Sequence, residues 1–161
     1  MRKRGRSAEG LLRELICILL LVGITATVQA HAAPDFSGQW KQDNGRCQPK
    51  RNGDVTLRIE QKDPELTVET SIALDSVNAR HAAQRYTTDG NASISTGTDG
   101  DEFRTSAVWK GSSLVITIEE HEHGRILHSK ETWSLIDNGA TLQRTREQDN
   151  GEKQILFFRR M

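Results

Sequence analysis

From residue 33 onward, apolar and polar positions alternate with a period of two. Residues 55–61 place Val55, Leu57 and Ile59 on one face and Thr56, Arg58 and Glu60 on the other. Residues 65–72 group Leu66, Val68 and Ile72, and residues 101–109 group Phe103, Ala107 and Trp109. Residues 113–119 group Leu114, Ile116 and Ile118, and residues 125–135 group Leu127, Trp133 and Leu135. Successive side chains of a strand point to opposite faces, so each segment predicts a strand buried on one side and solvated on the other. Asn-Gly or Asp-Gly pairs separate the segments at 44–45, 52–53, 89–90, 99–100, 138–139 and 150–151. Glycine supplies the positive φ of a tight hairpin, and Asn or Asp tolerates it. Lys110-Gly111 and residues 62–65, which contain Pro64, join further pairs.

Strand, turn and strand at short spacing read as an antiparallel up-and-down meander of about eight to ten strands. One sheet of that size curls, and closing it removes its edges. The expected fold class is therefore all-β, a meander closed into a small barrel, with a two-sheet β-sandwich as the alternative. Residues 73–83, with Asp75, Asn78 and His81, carry no clear period and read as a loop or one short helix.

The first 32 residues are different in kind. Arg2, Lys3, Arg4, Arg6 and Arg13 precede an apolar run over residues 15–28, and Ala30-His31-Ala32 follows as an A-x-A pattern. A basic flank, a short apolar core and a small-residue site describe a secretory signal peptide, expected to be cleaved after Ala32 or after Ala30. The run falls short of the roughly 20 residues that cross a bilayer comfortably, although an uncleaved anchor is the other reading. The expected domains are thus a leader, 1–32, and a barrel, 33–161, and the expected location is secreted or periplasmic.

That division changes the meaning of the charge. The whole chain of 161 residues balances 22 Lys plus Arg against 22 Asp plus Glu. Five basic and two acidic residues lie in the leader, which leaves the remainder with 17 basic and 20 acidic. A mildly acidic domain gives no support for nucleic-acid binding or for attraction to an anionic membrane surface. Removing the leader also removes Cys17, leaving Cys47 without an internal disulfide partner.

A resemblance goes further. Phe36-Ser-Gly-Gln-Trp40 carries a Gly-x-Trp motif at Gly38 and Trp40, and the last strand ends Phe157-Phe-Arg-Arg160. In lipocalins and related calycin barrels, a Gly-x-Trp on the first strand is packed by an Arg from near the end of the barrel. The resemblance implies that Arg159 or Arg160 packs on Trp40, as a guanidinium stacks on an indole face. The chain also resembles a lipocalin-like group of small secreted bacterial proteins, mostly without an assigned activity. The matching pieces are residues 36–40, 109–114, 131–135 and 138–142, and the likeness covers most of residues 36–160. It implies a ligand-binding barrel rather than a particular reaction.

Two clusters carry candidate chemistry. Glu119, His121 and His123 share a face if their strand continues, and two imidazoles at that spacing suit zinc, copper or nickel. The other reading is a solvated polar turn, since Gly124 follows at once. Ser129 and Glu131 share a face with Leu127 and Trp133, and on the next strand Arg144 and Arg146 share a face with Leu142. If both faces point inward, Glu131 meets one or two Arg in a lined cavity suited to the polar end of an amphipathic ligand. If a bulge resets the pattern, the three form exposed cross-strand ion pairs instead. No Gly-x-Ser-x-Gly is present, and no glycine loop leads into a helix. No cofactor is expected, and an enzyme is only a third reading, for which the His121 and His123 cluster alone argues. The expected function is non-catalytic binding of a small apolar or amphipathic molecule. The alternative is a protein-interaction or inhibitor module acting through its loops.

Overall fold

The computed structural model describes residues 33–73, 78–97, 100–122 and 124–161. The expected leader and His123 lie outside these. Among the described residues, ten strands form one antiparallel sheet. They are β1 (Gly38–Gln42), β2 (Asp54–Lys62), β3 (Glu65–Ala73), β4 (Ala79–Thr87) and β5 (Asp89–Thr96), then β6 (Glu102–Lys110), β7 (Ser113–Glu122), β8 (Arg125–Ile136), β9 (Thr141–Gln148) and β10 (Lys153–Arg160). The sheet runs β4-β3-β2-β1-β10-β9-β8-β7-β6-β5. Its two end strands, β4 and β5, are joined through Thr88 alone and share no ladder. The result is a nearly closed up-and-down barrel, as the period-two pattern predicts, and not a two-sheet sandwich.

One expectation needs correction. Residues 79–83 are neither loop nor helix but the first half of β4, in continuous register with β3 from Ala73↔Ala79 to Glu65↔Thr87. The inward positions of β4 are Ala82, Gln84 and Tyr86. Only the last is a large nonpolar ring, so hydropathy alone does not mark the strand.

Aromatic rings fill one end of the barrel. Phe36, just before β1, is fully buried, with its ring 5.5 Å from Trp109 in a stacked geometry and 5.8 Å from Trp133 edge-on. Its amide donates to Gln61 Oε1 at 2.9 Å, and its carbonyl accepts the Trp40 indole N–H at 2.9 Å. Tyr86 meets Trp133 edge-on at 5.8 Å. Leu66, Leu114, Leu142 and Phe158 complete this floor. Offset and edge-on rings of this kind add to the gain from burial.

The floor is latched by the chain's last strand. Arg160 stacks over the Trp40 ring at 4.3 Å, and its Nη1 donates to the Ser37 carbonyl at 2.6 Å. Arg160, not Arg159, is therefore the arginine on the Gly-x-Trp; Arg159 pairs with Asp43 at 3.3 Å. Gly38 has φ +127°, and a Cβ there would stand 2.9 Å from Arg160 Nη1. Glycine at 38 thus allows both the backbone conformation and the close approach.

Candidate functional site

Above the aromatic floor the inward face turns polar. The alternation that buries Trp133 on β8 also buries Glu131 and Ser129, and that of Leu142 on β9 carries Arg144 and Arg146 inward. Arg144 Nε donates to Glu131 Oε1 at 2.6 Å, and its Nη2 to Glu131 Oε2 at 3.1 Å. The side chains keep only 14% and 4% of their exposure. In register Glu131 stands opposite Arg146, so the pair with Arg144 is diagonal across the ladder. Arg146 instead donates from Nη2 to Glu120 Oε2 at 2.9 Å and from Nε to Ser129 Oγ at 3.1 Å.

These are charge-assisted bonds in a largely dry place, where each partner depends on the other. Burial disfavours the Arg144 charge. The facing Glu131 more than offsets this, by its charge and its hydrogen bonds, and holds the guanidinium pKa above its ordinary value. Arg144 also stacks over Trp133 at 4.5 Å, so the floor orients the charged pair. Tyr86 donates its hydroxyl to Gln84 Oε1 at 2.9 Å. Burial pushes that phenol well above its usual range, with nearby Arg144 pulling the other way.

Solvent reaches the outer of these two pairs. Glu120 and Arg146 face inward yet keep 17% and 29% of their side-chain exposure. Leu127, on the inward register of β8 nearer the strand's start, is 41% exposed. A core packed to the rim would leave no such exposure, so the barrel opens toward the end opposite Phe36. Along the β4–β5 seam lies a cleft of about 500 Å³ lined by Leu66, Arg85, Tyr86, Thr87, Ser93 and Ile94. Several inward polar atoms have no partner among the described residues. They are Ser95 Oγ, Thr105 Oγ1 and the indole nitrogens of Trp109 and Trp133. Buried polar groups normally find a partner, so these four are open valences of the barrel.

The structure therefore brings Glu131, Arg144 and Arg146 together inside the barrel, with no bulge in the β8–β9 ladder to turn them outward. Glu120, Ser129, Tyr86 and Gln84 belong to the same cluster. Glu120 is legible from the alternation of Leu114, Ile116 and Ile118, but its place within the run Glu119-Glu-His-Glu-His123 disguises it.

The histidine cluster lies elsewhere. β7 continues through Glu122, so the segment is strand up to that point rather than turn, and His121 sits on its outer face. His121 Nε2 lies 2.8 Å from Glu119 Oε1, and this hydrogen bond is the main reason the Glu119 carboxyl is held below its ordinary pKa. Among the described residues, no three His, Cys, Asp or Glu side chains are placed to hold a metal ion. Cys47, in the β1–β2 connection, is buried as a free thiol whose S–H donates to the Asp43 carbonyl at 3.3 Å.

No known protein-family pattern and no curated protein sequence matches the chain. Solved structures do. The REP1-NXSQ fatty acid transporter superposes with a TM-score of 0.59 at 11% identity, over 78% of this chain and 95% of its own. The zebrafish ileal bile acid-binding protein, solved with cholic acid, gives 0.56 at 13%, over 78% and 98%. Secretory abundant heat soluble protein 4 from Ramazzottius varieornatus gives 0.60 at 12%, over 82% and 99%. At these identities the likeness is one of fold, a nearly closed antiparallel up-and-down barrel of ten strands.

Proposed function

We propose that this protein is a secreted or periplasmic, non-catalytic carrier that holds one small apolar or amphipathic molecule in its barrel. The observation that carries this reading is the layering of the interior. An apolar body would rest on rings and aliphatic side chains, while its polar end meets Glu131, Arg144 and Arg146, the last at a level that water still reaches. Apolar walls with a few converging polar groups are the usual make-up of a small-molecule site. The likeness to barrels that carry fatty acids and bile acids supports it at the level of fold. The basic, apolar and A-x-A segments before residue 33 support export.

Two measurements test the reading. The purified chain is expected to bind Nile red saturably, one per chain, with a blue-shifted emission that an apolar competitor displaces. Absence of saturable binding in a folded sample would remove the carrier reading. For export, the chain recovered from the bacterial periplasm or medium is expected to begin at Ala33, or at His31 if cleavage follows Ala30. Recovery of an intact Met1 in the membrane fraction would replace the leader by an anchor.

A further inference from the structure

Among the described residues, the ionic side chains shielded inside the barrel are Glu120, Glu131, Arg144 and Arg146, and they form two complete pairs at 2.9 and 2.6 Å. From this the geometry points to an uncharged amphipathic lipid, with hydroxyl or carbonyl oxygens at its polar end, as the ligand class that the barrel selects over a fatty-acid anion. The inference rests on the carrier reading and sharpens it.

A carboxylate entering this level needs a cation free to receive it, and neither arginine is free. Glu131 holds Arg144 through two parallel bonds and is itself only 4% exposed. An incoming anion would have to displace Glu131 and strand a buried carboxylate, or add a third negative charge beside two positive ones. Leaving a charge uncompensated in such a place costs more than one new hydrogen bond returns. The inward register continues at the open end with Arg80, opposite Ile72, and with Arg125, 3.9 Å from Glu122, but both arginines are exposed there. Exposed charges of this kind contribute little to affinity.

A neutral oxygen meets none of these obstacles. Each arginine spends only two of its five N–H donors on the residues named, so further donors remain without any pair being broken. Ser95 Oγ and Thr105 Oγ1 are unpartnered among the described residues and can give or accept a hydrogen bond. Both hydroxyls are uncharged, so an alcohol, ester or ketone oxygen pairs with them without an ion being buried.

Three lipids with one twelve-carbon chain test this: laurate, lauryl alcohol and monolauroylglycerol, each titrated below its micelle concentration or solubility limit at pH 8 by calorimetry and by Nile red displacement. The two uncharged lipids are expected to bind at least tenfold tighter than laurate. In Glu131→Gln, which frees the Arg144 charge, the ratio is expected to fall by tenfold or more toward laurate. Glu120→Gln does the same for Arg146 at a half-exposed place and serves if Glu131→Gln does not fold. Laurate binding as tightly as the alcohol in the native chain would overturn the inference and leave the carrier reading intact. A ratio unmoved in a folded glutamine variant would also overturn it. If none of the three lipids binds, the inference falls, and the carrier reading falls with it only where Nile red also fails to bind saturably.

Discussion

The Arg144→Met variant is expected to be less stable than the native chain by about 3–5 kcal/mol, the scale for a buried ion pair that loses one partner. Methionine fills much of the same space, so the loss is electrostatic rather than steric. Glu131 would keep its burial and lose both of its donors from Arg144. Arg146 is no substitute, being committed to Glu120 and Ser129. The variant also loses the guanidinium over Trp133, worth about 1 kcal/mol. The deficit is that of a buried carboxylate left without its counter-charge. Adding Glu131→Leu to Arg144→Met is expected to recover most of it, since an apolar pair strands no charge. Urea unfolding of the single and double variants measures this. A single variant within about 1 kcal/mol of native would show that the pair is solvated and worth no more than a surface ion pair.

The second large effect is expected at the floor. Phe36→Ala is expected to cost about 3–5 kcal/mol, the range for truncating a fully buried aromatic ring. Phe36 precedes the first strand, and its ring reaches both Trp109 and Trp133. Its removal leaves a void between two indoles at the closed end. The tryptophan emission is expected to shift to the red as water enters there, alongside the lower urea midpoint. A midpoint shift worth less than about 1 kcal/mol, with emission unchanged, would mean that another side chain closes the floor.

The barrel was legible in the sequence wherever its interior is apolar. Leu57 and Ile59, Leu66 and Val68, and Leu114, Ile116 and Ile118 announce β2, β3 and β7 because the buried face and the hydropathy pattern coincide. Where the interior is polar, that coincidence fails. β4 presents Ala82 and Gln84 inward. β5 presents Ser93 and Ser95 inward and leaves its one large apolar residue, Ile94, outside and 59% exposed. The site shows the same physics. Glu131, Arg144 and Arg146 could be placed on inward faces by counting from Trp133 and Leu142. Which arginine meets Glu131 could not, because the pair forms diagonally and depends on the twist between β8 and β9 rather than on register. Likewise, only the final strand's geometry separates Arg160 from Arg159 as the side chain over Trp40.

The Gly38, Trp40 and Arg160 latch also bears on time. Among the described residues, eight of the nine ladders join strands that follow one another in the chain, and each can zip from its own turn. The ninth sets Trp40 opposite Arg160 and closes a loop that contains every other strand. Loop closure is entropically dearer the longer the loop, so this ladder forms late on the way to the native state. Contacts that form after the rate-limiting barrier leave the folding rate alone and slow the reverse step. An Arg160→Met variant is therefore expected to unfold faster with little change in its folding rate, which the two arms of a urea chevron measure.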